Sequence, residues 1–418
     1  MRSLISPGGL DAVIRWWERG VQLFLCVSVV LIGVGGIETG IPYGDFSAWS
    51  ISRTTFFFWA IWRVLIWCAG RQVGSSWRDL MPLPLAVFFA AVTISLFPLM
   101  RDGGDYRYLF FAVAHCVMIR DLFRDEKSRR FLLLALGLTP GVVLLRGVMA
   151  NPLILDFSQM ERLDYPLDHA NTAGHLLAMS IPLAAGLLIA LPSRLRYLSG
   201  LSVCSQVAAL LLTYSRGAWL GLAAAMIFFS VAAGVRKEFF IFAPIMLLLI
   251  AFIAPLQQRL VSFSDVRSDP AISARINVMR DTLRIGLTHP VFGIGYGRGR
   301  LKSAIRSSTL SETKPNEAIW HAHNTYLELF AGTGLLGLGA FVWLLAAALR
   351  KTLSEAREAV GDGKILTLGV AASAVALIVC SLSDVGFYHH ETRLYWFTLL
   401  ALMLRNRQKI ARMEANLA

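Results

Sequence analysis

Uninterrupted apolar runs of about 17–25 residues recur along this chain, the length an α-helix needs to cross a bilayer. A chain patterned this way has few options. In hydrocarbon every backbone N–H and C=O must find a partner, so only helices and closed barrels span. The runs are continuous rather than alternating, which argues against a barrel. The expected fold class is an all-α polytopic membrane protein. Composition agrees: 56% of the 418 residues are hydrophobic and 16% are charged, against about 25% charged in soluble domains.

Twelve transmembrane helices are expected, at roughly 20–38, 54–70, 82–100, 106–120, 131–150, 170–191, 197–213, 217–234, 238–255, 323–349, 364–382 and 388–404. The chain then divides into residues 1–255 with spans one to nine, a loop at 256–322, and residues 323–418 with the last three spans and a cytoplasmic tail. No cleavable signal peptide is expected, because Gly8, Gly9 and Asp11 interrupt the first stretch. Arg15, Trp16, Trp17 and Arg19 look like an interfacial anchor.

The net charge of +13 raises the question of nucleic acid. In a membrane protein the distribution of cations decides, and here it points to topology. With both termini cytoplasmic, the inner segments hold 22 of the 40 basic residues. The short outer loops hold six: Arg53, Arg101, Arg107, Arg162, Arg216 and Arg393. That bias satisfies the positive-inside rule, and long loops translocate regardless of charge. The 256–322 loop therefore lies outside, with ten basic and five acidic residues. It is too long to be an idle connector. Its start reads as a surface helix over Pro270–Leu287, with Ile272, Ile276, Met279 and Leu283 on one face and Arg275, Arg280 and Arg284 sharing another. The five cysteines all fall inside apolar spans without a C-x-x-C pattern, so they read as small core residues.

Candidate chemistry gathers on the outer side. His321-Ala-His323-Asn324 enters the tenth span. It can be a structural interface pair or a fragment of a metal site, although Glu317 and Glu328 do not give a zinc spacing. It can also supply a general base, since a neutral imidazole accepts a hydroxyl proton near neutral pH. Arg216 sits in a very short outer turn, Thr213-Tyr-Ser-Arg-Gly. It is either a snorkelling residue or a bidentate clamp on phosphate oxygens. Among Arg275, Arg280 and Arg284, at least one is expected on an anionic substrate, with Arg275 first. Gly293-Ile-Gly-Tyr-Gly-Arg-Gly299 has no preceding strand and no clear following helix, so it reads as a flexible turn that lets backbone approach a ligand. Asp168 or Asn171 caps the sixth span or contacts sugar. Asp384, near His389, His390 and Glu391, can orient the His323 ring, bind sugar hydroxyls or serve as loop polarity. Arg63 and Arg146 lie within spans, where cations are costly. Arg146 is placed to face the cavity, and Arg63, among Trp59, Trp62 and Trp67, reads as structural.

These residues meet a known pattern. The run His323, Asn324, Leu327, Glu328, Gly334, Gly337 resembles the His-Asn-x-x-Leu-Glu-x-x-x-x-x-Gly-x-x-Gly motif of the O-antigen ligase (WaaL) family, within the O-antigen ligase and polymerase superfamily. Ser215-Arg216-Gly217, Ser273-x-Arg275 and His289-Pro290-x-x-Gly293-x-Gly295 support it. The resemblance implies a GT-C-like glycosyltransferase with no metal and no cofactor. The implied donor is undecaprenyl diphosphate carrying a glycan, and the implied acceptor is a lipid A–core sugar hydroxyl at the periplasmic face of the bacterial inner membrane. It implies His323 as the catalytic histidine, with Arg216 and Arg275 on the diphosphate. Arg280, Arg284, Arg146, Asn171, His321, Asn324 and Asp384 are the further candidates for substrate binding. Membrane lipid is an expected partner and nucleic acid is not. Two competing functions remain: a polymerase or protein O-oligosaccharyltransferase of the same superfamily, and a lipid-linked glycan transporter. Against transport, no Gly- or Pro-broken spans recur in corresponding halves.

Overall fold

The computed structural model describes residues 7–34, 47–68, 77–96, 104–156, 161–167, 169–234, 270–308 and 321–405. Among these residues there is helix and no strand. In chain order the helices are α1 (Pro7–Val34), α2 (Ala48–Cys68), α3 (Trp77–Leu80), α4 (Leu83–Ser95), α5 (Gly104–Leu122), α6 (Glu126–Leu138) and α7 (Val143–Ala150). There follow α8 (Ala170–Ala190), α9 (Ser193–Leu212), α10 (Arg216–Ala233), α11 (Pro270–Thr288), α12 (Arg298–Ser307), α13 (Thr325–Glu358), α14 (Gly361–Cys380) and α15 (His390–Met403).

Seven of the described stretches are long and apolar enough to cross a membrane. They are Ala12–Val34, Glu126–Ala150, Ala170–Ala190, Arg194–Leu212, Arg216–Ala233, Thr325–Glu358 and Gly361–Cys380. Helices also occupy the places expected for the second, third, fourth and twelfth spans, as α2, α4, α5 and α15. These four fall short of a full apolar span, α4 and α15 in length, α2 and α5 in apolarity. The expected ninth span, 238–255, lies outside the described residues, as do the loop segments 256–269 and 309–320.

Helices α8 and α15 form the interior. All but three residues of α8 are buried, and so is every residue of α15 from Thr392 to Met403. A helix apolar on all sides belongs in the centre of a bundle. Against α8 pack α9, α10 and α14. Small residues let these backbones approach. A methyl added at Gly369 would sit 3.3 Å from the Pro182 carbonyl oxygen, and one at Gly186 3.4 Å from that of Ile365. Close approach through glycine suits helices in lipid, where dispersion rather than water exclusion drives association.

The loop helices are not a free-standing domain. The inward stripe of α11 is Val278, Thr282 and Ile285, and Val278 and Ile285 cluster with Leu301 and Ile305 of α12, Ala322, and Ala331 of α13. The expected apolar face is therefore not the covered one: Ile276 and Leu283 are each 41% exposed. The cations separate on the same grounds. Arg275 precedes Val278, Thr282 and Ile285 by three, seven and ten residues, so it shares the inward face. Arg280 and Arg284, five and nine residues on, turn outward.

Beyond α11 the chain splices into a break in α13. Gly334 adopts φ 65°, ψ −166° inside that helix. The interruption frees backbone groups, and the loop satisfies them. The Leu335 N–H donates to the Pro290 carbonyl at 2.7 Å and the Leu336 N–H to that of Val291 at 3.3 Å. In return the N–H groups of Ile294 and Gly295 donate to the carbonyls of Ala331 and Gly332 at 2.9 and 2.8 Å. In a membrane protein such exchange is what permits a broken helix. The glycine-rich stretch thus approaches a helix backbone rather than serving as an open turn, and α12 does follow it. Gly293, at φ 69°, has no room for a methyl against Gly332.

Gly334→Ala is expected to destabilise the protein. Its dihedrals are open essentially to glycine alone, a strain of order 1–3 kcal/mol for other residues, and the new methyl would strike the Val291 carbonyl. At Gly339 an added methyl meets nothing within 4 Å. Thermal unfolding in lipid nanodiscs should show a lower Tm for Gly334→Ala and an unchanged Tm for Gly339→Ala. Equal Tm values would contradict the splice.

Candidate active site

Three helix starts meet the turn at residues 381–384. The first is α10, where Ser215 is the N-cap and Arg216 the first helical residue. The next residue must be glycine, because a side chain at Gly217 would run into Ser383. This explains the Ser215-Arg216-Gly217 pattern: the glycine lets the α10 start seat on the turn, and Arg216 comes with it. The second start is α8, where the His169 Nδ1 accepts the Asn171 N–H at 3.2 Å. A methyl added at Gly174 would lie 3.0 Å from the Ser215 Cβ, so α8 and α10 cross tightly here.

The third start is α13. Asn324 caps it, its side-chain oxygen accepting from Tyr326 and Leu327 N–H at 2.9 and 3.0 Å. Its amide nitrogen donates to the Leu382 carbonyl at 3.0 Å. The Thr325 N–H and hydroxyl donate to the carbonyls of Ser381 and Asp384, at 2.9 and 3.1 Å. Glu328, buried one turn on, accepts the Ala322 N–H at 2.8 Å. These bonds hold His321 and His323 over the turn, with His323 at φ 52°. The Asn and Glu of the motif are thus structural parts that aim the histidines.

Asp384 is the common neighbour. Its side chain is 6% exposed. Oδ2 accepts from the Asn171 amide nitrogen at 2.5 Å, and Oδ1 accepts the Val385 N–H at 2.8 Å. Oδ1 also lies 3.6 Å from His321 Nδ1 and 3.7 Å from His323 Nδ1. The His321 Nδ1 accepts the His323 N–H at 3.2 Å, so that nitrogen carries no proton. His323 Nδ1 faces the same carboxylate oxygen from 3.7 Å, beyond direct hydrogen-bond distance, and a proton placed on it would leave His323 Nε2 as an acceptor. Burial opposes ionisation of Asp384, but the facing His323 ring and the neighbouring His321 and His175 outweigh it and hold the carboxyl well below its usual range. Burial drives the His321 pKa down to about 3 against the pull of Asp384, and burial likewise lowers His169.

A pocket opens beside this carboxylate, lined by Arg162, Asn171, His175, Arg216, Arg275 and Asp384 among others. Four of the expected residues, Arg216, Arg275, Asn171 and Asp384, therefore converge, and His321 and His323 join them through Asp384. Other expectations place differently. Arg146 donates to the Val34 carbonyl and the Tyr165 hydroxyl at 2.5 and 2.9 Å and does not line the pocket. Arg280 and Arg284 are exposed, Arg284 standing 3.6 Å from Asp281. Arg63 pairs with Asp121 at 2.6 Å, in keeping with a structural role. His390 stacks on Trp49, with ring centroids 5.1 Å apart. Asp168, Glu317 and Trp320 lie outside the described residues. Sequence reasoning missed Arg162 and His175 as pocket residues. The available signal was that Arg162 is one of only six cations in the short outer loops, and that His175 is two turns below Asp168.

The donor set bears on metal as well. Ligand atoms of His321, His323 and Asp384 all lie within 4.8 Å of one another, close enough to share a cation. Against that use, His321 Nδ1 is occupied by the His323 N–H and Asp384 Oδ2 by Asn171.

The fold and site together define a polytopic helical membrane protein with a cationic pocket and a carboxylate–histidine pair at one end of the bundle. Residues 200–342, about a third of the chain, match the family model described as O-antigen ligase, and this supports a likeness to the O-antigen ligase and polymerase superfamily. The match contains Arg216, Arg275, His321 and His323, and excludes Arg162, Asn171 and Asp384. No curated protein matches the chain.

The site should make stability pH-dependent. An unfolded chain protonates His321 below about pH 6.5, while the folded one resists to about pH 3. The unfolded state therefore binds more protons in that window, and stability falls as pH falls through it. The lowered Asp384 acts with the same sign at lower pH. The Tm should drop from pH 7 to pH 5, and less steeply in His321→Gln. Identical slopes would contradict the buried neutral assignment.

Proposed function

We propose that this protein is an O-antigen ligase of the WaaL type. It transfers a glycan from undecaprenyl diphosphate to a sugar hydroxyl of lipid A–core at the periplasmic face of the bacterial inner membrane, with both termini in the cytoplasm. The observation that carries this reading is the pairing of His323 with Asp384 at the edge of a pocket that also holds Arg216 and Arg275.

The chemistry follows from these groups. The acceptor hydroxyl gives its proton to His323 Nε2 as its oxygen bonds to the anomeric carbon. Asp384, 3.7 Å from Nδ1, stabilises the imidazolium that forms. The bond from the anomeric carbon to the phosphate oxygen breaks, and the electron pair leaves with undecaprenyl diphosphate. Arg216 and Arg275 take up that charge, aided by the α10 N-terminus at which Arg216 sits. Guanidinium groups here do the work that a divalent metal does in many glycosyl transfers. Attack opposite the leaving group inverts the anomeric centre. Arg280, Arg284 and Arg146 fall outside this arrangement.

His323→Ala should lose about 10²–10⁴-fold in transfer rate, the usual contribution of one general base. Arg216→Ala should lose about 10²–10³-fold, in line with removal of a transition-state donor. Both variants should still insert in the membrane. Purified donor and core acceptor give the readout, and wild-type transfer by either variant would refute its role. EDTA should leave the rate unchanged; inhibition reversed by Mg²⁺ would instead assign a cation to His321, His323 and Asp384. Replacing core lipid with a second lipid-linked repeat tests the polymerase alternative, and label crossing the bilayer without bond formation tests transport.

A further inference from the structure

We propose that Arg162 is a positioning residue for the transfer reaction, acting through Asn171 to hold the Asp384 carboxylate against the His323 ring. This rests on the assignment of His323 as the base.

Two hydrogen bonds lead in one direction from Arg162 to Asp384, whose other oxygen faces the His323 ring. The Arg162 Nη2 donates to the Asn171 side-chain oxygen at 2.8 Å. The Asn171 amide nitrogen donates to Asp384 Oδ2 at 2.5 Å. The opposite oxygen of Asp384 faces His323 Nδ1 at 3.7 Å. A guanidinium can only donate, so the group it meets on Asn171 must be the oxygen. That choice turns the NH₂ of Asn171 toward Asp384, where it meets an ionised acceptor. Arg162 and Asp384 thus fix the amide from opposite sides, and with Arg162 removed only Asp384, of these two, opposes a flip that sets the amide oxygen against the carboxylate.

Arg162 is itself anchored. Its Nε donates to the Thr213 carbonyl at 2.8 Å, and the next residue's N–H, on Leu163, donates to the Leu212 carbonyl at 2.9 Å. The acceptors are the last residue of α9 and the first of the turn that leads into Arg216. The support for the anion-binding arginine and the support for the base's carboxylate are therefore one piece of backbone. Asn171 is 8% exposed, so this link is shielded from competing water. Arg162 also lines the pocket, which makes a third phosphate clamp the rival role. Two of its donors face Thr213 and Asn171, and that geometry favours positioning.

The two roles separate kinetically. In the purified transfer assay, Arg162→Ala should lower kcat about 10–100-fold while donor KM changes by less than about threefold, the pattern of an interaction felt in the transition state. The loss should largely vanish when Arg162→Ala is added to Asp384→Asn, because residues in one hydrogen-bonded chain are not additive. Asn171→Asp keeps an acceptor for Arg162 but opposes Asp384, and it should lose kcat similarly. This second variant serves if Arg162→Ala does not fold. A donor KM raised as far as in Arg216→Ala with kcat kept would make Arg162 a clamp. Full additivity with Asp384→Asn, or a wild-type kcat in Asn171→Asp, would remove the relay. If His323→Ala transfers normally, the base assignment falls; if it is inactive while the cycle is additive, only the relay falls.

Discussion

One buried carboxylate organises one end of this bundle. An ionised group away from water is tolerated only when its oxygens are fully engaged. Asp384 meets that demand with partners from α8, from its own turn and from the residues before α13. The helix starts around this turn each need a local device to arrive there: Gly217 seats α10, Asn324 caps α13, and His169 caps α8. The motif residues around the site are thus mostly packing parts. Their spacing is legible as chemistry because the packing delivers two histidines to one carboxylate, beside a pocket that Arg216 and Arg275 line.

The loop contributes through a second constraint. The break at Gly334 and the backbone exchange with residues 290–295 fasten this segment to α13 eleven residues beyond His323. Arg298 reinforces that attachment from the other side, its backbone N–H and guanidinium donating to Asp105 of α5 at 2.7 and 3.2 Å. Nearby, Tyr296 stacks on Tyr388 with ring centroids 5.3 Å apart. With residues 290–298 fastened in this way, α11 carries Arg275 to the pocket.

How much of this was legible depends on the range of the signal. Apolar runs act within one helix, so the fold class and the places of the described helices were readable, α8 almost to the residue and α13 at its start, although it runs nine residues past its expected end. Arg216 and His323 were readable because an isolated cation and a titratable ring at a membrane boundary are unusual in themselves. What required distance was not. Asp384 stood open among three roles because its partner Asn171 is 213 residues away. Helical spacing grouped Arg275 with Arg280 and Arg284, but the covered stripe was set by Val278 and Ile285, a fact of tertiary packing. The same blindness to contact put Arg146 toward the cavity, where the Val34 carbonyl in fact claims it. Arg162 carried no motif, only a position.

The central claim is that Asp384 and His323 act as one unit beside an anion-binding pocket. Single-turnover transfer by Asp384→Asn in nanodiscs, with donor binding measured alongside, tests this most directly. The expected result is donor binding close to wild type with chemistry slowed by as much as about 10⁴-fold, the scale on which an amide in place of the orienting carboxylate disables a histidine base. A wild-type rate of chemistry in Asp384→Asn would contradict it.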